Sequence, residues 1–291
     1  SEGFDDALRQ RDCHRAASLF GDDGYWRDIL SFTWKIATRQ GALEIAEALQ
    51  STLEACGAAN FRLEAQAPMR GQLGGVETLE AFFRFDTRIA HGRGFLRLTP
   101  DPAQPGGWKA LNFLTTIHEL KAFPEDPFLT RRRESTGRRS VDNWLDRRQA
   151  AAEFAEKDPE VLIIGAGQAG LALGARLAQL DVATLIVDRH ERVGDNWRKR
   201  YHSLTLHNEI CTNHLPYLPF PKTWPVYIPK DMLANFMEFY AMSMELNVWN
   251  RTSFLDGTYD ATARRWTVRV QRADGSIRTL RPSQVVMAVG A

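Results

Sequence analysis

The sequence predicts two units of different class in series: an α+β unit over residues 1–130 and an α/β unit with a parallel sheet over residues 158–291, joined by a basic connector over 131–157. Three observations carry this expectation. The chain has 291 residues, long for one domain and comfortable for two. Its first part shows a helical stripe followed by strand-like runs, whereas its second part alternates short apolar runs with a glycine turn and a helix. Between them, Arg131 to Arg148 carries seven arginines and three acids with little apolar content.

Composition bounds the partners. With 44% hydrophobic and 25% charged residues the chain has the makings of an ordinary packed core. A net charge of +1 supplies no global field for nucleic acid or an anionic membrane. The arginine run carries one aromatic, Trp144, and no series of interleaved aromatics on which bases would stack, so it reads as a connector. No apolar run approaches the roughly 20 residues that span a bilayer, and the opening SEGFDDALRQRD is too polar for a signal peptide. Cys13, Cys56 and Cys211 are odd in number and lack metal-ligand spacing, which predicts a reduced, cytoplasmic protein without a metal site.

In the first unit, Ala42 to Leu53 sets Leu43, Ala46, Leu49 and Leu53 on one helical stripe. Strands are expected in FRLEAQ from Phe61, GFLRLTP from Gly94 and WKALNFLTTIHEL from Trp108, the last two separated by the turn-rich DPAQPGG. Helices followed by long antiparallel strands predict a curled sheet wrapped around a helix.

The second unit opens with VLIIGAGQAGLALGARLAQLDVATLIVDRH. Val161 to Ile164 is a continuous apolar run, as in a strand buried on both faces. Gly165, Gly167 and Gly170 follow at GxGxxG spacing, with Ala166 and Gln168 completing the turn. Gly165 permits the tight turn, Gly167 lets a pyrophosphate approach the backbone, and Gly170 lets the helix pack on the strand. A helix over Gln168 to Gln179 then presents free N–H groups to phosphates. The second strand, ATLIVD, ends at Asp188, 23 residues after Gly165 and near the separation of about 20 expected for an acid that binds a ribose hydroxyl. Strand, turn, helix, strand and acid in this order predict a Rossmann-type dinucleotide site, and the acid favours FAD or NAD over a 2′-phosphorylated nucleotide. Further on, Asp231 to Leu246 sets Leu233, Phe236, Met237, Tyr240 and Met244 on a core face, Arg264 to Leu280 reads as a β-hairpin turning at Asp274 and Gly275, and Val285 to Val289 reads as a buried strand meeting Gly290.

Two segments add a resemblance. The pieces DDGYWRDILSFTWKIATRQG and GWKALNFLTTIHELKAFPE resemble the nuclear-transport-factor-like (SnoaL-like) cone domain that precedes some flavoprotein monooxygenases. A cone of this kind has a pocket, where Trp26, Asp28 and His118 are the residues to watch, although a Trp beside an Asp is more often a core anchor and a lone strand His more often structural. The run RVGDNWRKRYHSLTLH, followed by PYLPFPKTWPVYIPKDM, resembles the GGxW segment of class B flavoprotein monooxygenases. The layout resembles a flavin-containing monooxygenase subgroup: an α+β SnoaL-like cone followed by an α/β Rossmann-type FAD-binding domain with a β-hairpin insertion.

The resemblance implies an FAD- and NADPH-dependent monooxygenase that inserts one oxygen atom from O2 into a small organic substrate through a hydroperoxyflavin. It assigns Gly194, Asn196, Trp197 and Gly290 to the FAD site, with Asp195 standing where the family has a second glycine and Val289 where it has a threonine. It places His207 where microsomal members have an active-site Asn and the auxin-forming members a His, a candidate catalytic residue whose other reading is a histidine that only shapes the loop, with Asn208 as the neighbouring alternative. It also suggests a homodimer paired through the cone domain. The family's second GxGxxG module, which binds NADPH, is not found in this sequence: Gly71, Gly74, Gly75, Gly106 and Gly107 follow no buried strand, so we expect the chain to be a piece of a longer enzyme. Two other readings stay open. A dithiol or pyridine-nucleotide oxidoreductase would need a cysteine pair near the flavin, where only Cys211 stands, and a non-catalytic chain would merely hold a nucleotide.

Overall fold

A computed structural model describes residues 2–125 and 143–290, in two compact units, Ser1–Glu125 and Asp126–Ala291. Of the expected connector, residues 131–142 lie outside the described residues.

The first unit is α+β. Helices α1 (Glu2–Arg9), α2 (Cys13–Ala17) and α3 (Gly41–Cys56) accompany strands β1 (Phe20–Ile29), β2 (Ile36–Gln40), β3 (Ala59–Leu63), β4 (Met69–Leu73), β5 (Val76–Asp86), β6 (Ala90–Pro100) and β7 (Trp108–Leu120). The strands form one sheet in the order β2-β1-β7-β6-β5-β3, with β4 also on β5; β1 and β7 run parallel and the other pairs antiparallel. One core joins Phe4, Leu8, Ile45 and Leu49 of the helices to Phe61, Phe83, Phe85 and Phe113 of the strands. Space for two of these rings comes from β6, where Gly94 lies opposite Phe83 and Gly92 opposite Phe85; a Cβ at either glycine would overlap the phenyl ring. The expected stripe of α3 is corrected at one position. Leu43 is 68% exposed, and Ile45 takes its place in the core beside Ala46, Leu49 and Leu53.

Trp26 and Asp28 are buried together on β1. The indole Nε1–H of Trp26 donates to Thr115 Oγ1 (2.9 Å), whose hydroxyl donates to Asp28 Oδ1 (3.0 Å). The same carboxylate accepts the backbone N–H groups of Ser31, Phe32 and Thr33 and both nearby hydroxyls. Asp28 is therefore the internal cap of the β1–β2 turn, with its acceptor positions filled. His118 lies exposed on β7, apart from this pair.

The second unit is a three-layer α/β structure. Strands β8 (Val161–Ile164), β9 (Thr184–Val187), β10 (Val248–Trp249) and β14 (Gln284–Met287) form a parallel sheet in the order β10-β9-β8-β14. Because alternate residues face opposite sides, Ile163 and Ile186 pack with helices α5 (Gln168–Gln179) and α7 (Lys230–Ser243), while Leu162, Ile164, Leu185 and Val187 pack under an antiparallel meander. That meander comprises β11 (Ser253–Asp260), β12 (Arg265–Gln271) and β13 (Ile277–Leu280), one strand more than the expected hairpin. The expected helix begins at Lys230 and buries Leu233, Phe236, Met237 and Tyr240, with Met244 at its cap.

Two expectations are corrected here. Residues 144–152 are not connector but helix α4 (Trp144–Ala152), opened by a reciprocal capping box between Asn143 and Asp146. It docks on the second unit through polar contacts: Trp144 Nε1 to Glu245, Arg148 to Asn247, and Ala152 O from Trp249 Nε1 (2.7 Å). Likewise β14 is an edge strand, not a buried one: Met287 is 57% and Val289 66% exposed, because β8 pairs with only one side of it.

Asp28→Ala leaves several buried donors without an acceptor. We expect it to destabilise the first unit by about 3 kcal/mol or more, seen as an earlier first transition in urea unfolding.

Candidate dinucleotide site

The site begins at the turn between β8 and α5. Gly165 adopts φ +110°, and a Cβ there would overlap the carbonyl of Ala288 at the end of β14. A Cβ at Gly170 would overlap the Gly165 carbonyl, so these two glycines let strand, turn and helix touch backbone to backbone. Gly167 differs. Its φ is an ordinary −78°, and the nearest atom to a Cβ there is the Asn196 Nδ2 at 3.6 Å. The protein itself does not require a glycine at 167, whereas a ligand lying close to the backbone would.

Helix α5 runs over the residues expected, Gln168 to Gln179, and its N-cap, Gly167, has no side chain to satisfy the first N–H groups. Gln168 is half-buried at this end and Ala166 is buried beneath it. The Ala166 N–H is taken by Asp188 Oδ2 (2.7 Å), which fixes the acid at the end of β9 against the turn.

The second wall is the loop after β9. Gly194 has φ +91°, and a Cβ there would overlap the Ala234 carbonyl. This glycine lets the loop lie on α7. The residue that departs from the family pattern, Asp195, opens helix α6 (Asp195–Arg198) and is buried. Burial pushes its carboxyl up, but hydrogen bonds from Arg198 and the Arg192 N–H, with Lys199 nearby, hold it below its ordinary value. Arg192 and Arg198 both reach Glu238 of α7, at 2.6 and 2.9 Å, and the Arg192 hydrogen bonds hold that carboxyl low as well. This clamp carries Asn196 over Gly167. Among the described residues, the Asn196 carboxamide has no hydrogen-bond partner. The Trp197 Nε1–H is fully buried and also unpartnered, although its ring packs on the α5–α7 core.

These features fit a dinucleotide: an uncapped helix N-terminus, a gap at Gly167, two unpartnered donors and an acid beside the turn. Other expected residues are less enclosed. His207 and Asn208 are exposed, on an irregular segment tied down by Leu206 N–H to Ile228 O (2.9 Å) and Ile210 N–H to Val226 O (2.8 Å). Gly290 has φ +83° and is exposed beyond β14. Among the described residues no group of side chains could hold a metal, and no helix is long and apolar enough to cross a membrane.

Two residues of the site escaped the sequence reading. His190 donates its backbone N–H and Nδ1 to Asp188 Oδ1, both at 2.8 Å. Lys230, buried at the first turn of α7, donates Nζ to the Arg198 carbonyl (3.0 Å), while its N–H reaches Leu204 O (3.0 Å), fixing the segment that leads to His207. An Asp followed two residues later by a turn donor was a legible signal for the first; a single Lys ahead of an apolar stripe gave none for the second.

The glycines separate fold from ligand. Gly165→Ala and Gly170→Ala should lower the melting temperature sharply, whereas Gly167→Ala should melt like the parent and bind a dinucleotide at least tenfold more weakly in a fluorescence titration. For the clamp, depressed carboxyls mean that the native state binds fewer protons than the unfolded one, so the stabilisation is full above about pH 5, clear of the unfolded values, and is lost as pH falls through the depressed ones. Glu238→Gln should therefore lower the melting temperature at neutral pH, with the difference from wild type closing in acid.

The site coincides with the part of the chain that resembles known proteins. Residues 163–215 match the NAD(P)-binding Rossmann-like domain family. Indole-3-pyruvate monooxygenase YUCCA1 of Oryza sativa subsp. japonica is 34% identical over 113 residues, 38% of this chain and 28% of that protein. An uncharacterized CzcO-like oxidoreductase of Geobacillus kaustophilus is 38% identical over 96 residues, 33% of this chain and 28% of that protein. A flavin-containing monooxygenase from Stenotrophomonas maltophilia superposes with a TM-score of 0.40 at 24% identity, covering 45% of this chain and 38% of its own. The similarity thus spans less than a third of the length of the two curated relatives, and within it the second unit carries a Rossmann-like nucleotide-binding fingerprint and is similar to flavin-dependent monooxygenases.

Proposed function

We propose that the second unit holds FAD and that the chain belongs to a flavin-dependent monooxygenase acting with NADPH and O2 on a small organic substrate. The observation that carries this is the gap at Gly167, faced by the unpartnered Asn196 carboxamide, within the residues that match a Rossmann-like nucleotide-binding family. The uncapped end of α5 would receive the pyrophosphate, Asp188 the adenosine ribose, and Asn196 and Trp197 would donate from the facing loop. Bound there, the flavin would supply the oxygen-transfer chemistry, with NADPH as reductant. The protein's own part is to hold the group, through Gly194 packed on Ala234 and the clamp to Glu238, and to offer His207 or Asn208 as hydrogen-bonding side chains at the reacting end.

The finer parts of the reading rest on the first unit. Three helices against one face of a bulged, mixed sheet support a SnoaL-like cone. Pairing of two copies through that sheet is supported by its opposite face, where Phe82 and Phe95 lie 5.5 Å apart with Arg93 and Arg97 stacked over them. A cytoplasmic setting is supported by three free cysteines. The dithiol alternative lacks its cysteine pair, since Cys211 is the single cysteine after residue 56.

Purified chain reconstituted with FAD should show the two visible absorption bands of bound flavin after desalting; a colourless protein would reject the reading. In an enzyme form that turns over NADPH, His207→Ala should raise the share of consumed NADPH that ends as hydrogen peroxide rather than product. An unchanged ratio would remove His207 from the reacting end.

A further inference from the structure

The acceptor positions of Asp188 limit how a ribose is read. A carboxylate offers about four well-directed positions, two on each oxygen, and takes further donors only through crowded or shared contacts such as the Phe32 N–H split between both oxygens of Asp28. Oδ1 is filled by the His190 N–H and Nδ1, and Oδ2 accepts the Ala166 N–H, which leaves one position, on Oδ2. Because a carboxylate can only accept, His190 must carry its ring proton on Nδ1. The pair is held in place from β10 onward: the Arg251 N–H donates to His190 O (2.8 Å) and the Thr252 N–H to Asp188 O (2.9 Å). The side chains of Asp188 and His190 are 12% and 22% exposed, so water competes little for Oδ1.

An unmodified ribose presents two adjacent hydroxyls, and an acid with both oxygens open would take both. We propose that His190 is a positioning and specificity-determining residue that restricts Asp188 to a single hydroxyl of the adenosine ribose. The proposal rests on the dinucleotide reading above and deepens it. His190 acts through Asp188, not on the ligand. The remaining hydroxyl then faces solvent or another donor, and its loss is tolerated.

Calorimetric titration of flavin-free chain with ADP, 2′-deoxy-ADP and 3′-deoxy-ADP tests this, with FAD as reference ligand. In the wild type, one deoxy analogue should bind about tenfold or more weakly than ADP, the loss expected of a hydrogen bond to a charged group, and the other should bind as ADP does. His190→Ala opens Oδ1, so both analogues should then lose affinity relative to ADP. His190→Asn, which returns an N–H donor, should restore the wild-type pattern. Equal losses for the two analogues in the wild type, no loss for either, or a pattern unchanged in His190→Ala would each overturn the proposal while FAD still binds. A wild-type chain that binds neither FAD nor ADP would overturn the dinucleotide reading and this proposal with it. Should His190→Ala fail to fold, His190→Leu, which fills similar space without a donor to Oδ1, decides in its place with the same expected and overturning outcomes.

Discussion

The second unit depends on one backbone contact, the approach of the first turn of α5 to the carbonyl of Gly165 at Gly170. A side chain at either position would push the helix away from the strand, and the helix N-terminus would no longer sit behind the turn. With the contact made, the rest is placed by short links. Ala288 at the end of β14 closes on Gly165, Asp188 at the end of β9 accepts the Ala166 N–H, and the first N–H groups of α5 point over Gly167. Parallel strands buried on both faces supply the rigidity this needs, since Ile163 and Ile186 lock one side and Leu162 and Leu185 the other.

Polar accounting distinguishes scaffold from site. Both units contain a buried or nearly buried aspartate at the end of a strand. Asp28 is filled by donors from its own turn and from Thr115, so it stabilises a loop and has nothing left to offer. Asp188 is one donor short, Asn196 beside the same turn has no partner among the described residues, and the neighbouring Trp197 Nε1 is buried without an acceptor. A buried donor without a partner costs stability, and on the proposed reading an anionic, hydroxyl-bearing ligand beside the uncapped end of α5 would satisfy these groups.

The sequence made periodic elements legible and hid those held by other means. Helix α5 and strands β7 and β8 match their expected limits, because each has a clear period and a glycine or proline-rich boundary. Strand β1 was not read: FGDDGYWRDI carries turn residues in its middle, and the register shift between Phe20 and Tyr25 absorbs them. Helix α4 has no apolar stripe and buries no residue; its capping box and side chains to Glu245 and Asn247 hold it, contacts that no period reveals. In α3 the expected stripe holds at Ala46, Leu49 and Leu53 and fails at one position, Leu43 instead of Ile45, since leucine spacing alone satisfied the pattern. In the candidate site the glycines and Asp188 were legible as a motif, while the clamp was not, because Arg192 and Arg198 meet Glu238 only after α7 folds back, 46 and 40 residues later.

The two ends of the site are built to different standards, and this orders the effects of substitution. The nucleotide end is made from strand ends, a helix terminus and a loop clamped to α7, all of which are fixed before any ligand arrives. The end carrying His207 and Asn208 is an irregular segment anchored at Leu204, Leu206 and Ile210 by single backbone hydrogen bonds, with Lys230 tying its start to the carbonyl of Arg198. On the proposed reading, changes at Gly167, Asp188 or His190 would act on affinity through a preformed surface. Changes at Lys230 or Leu206 would act on where His207 is held, and so on the fate of a ligand already bound.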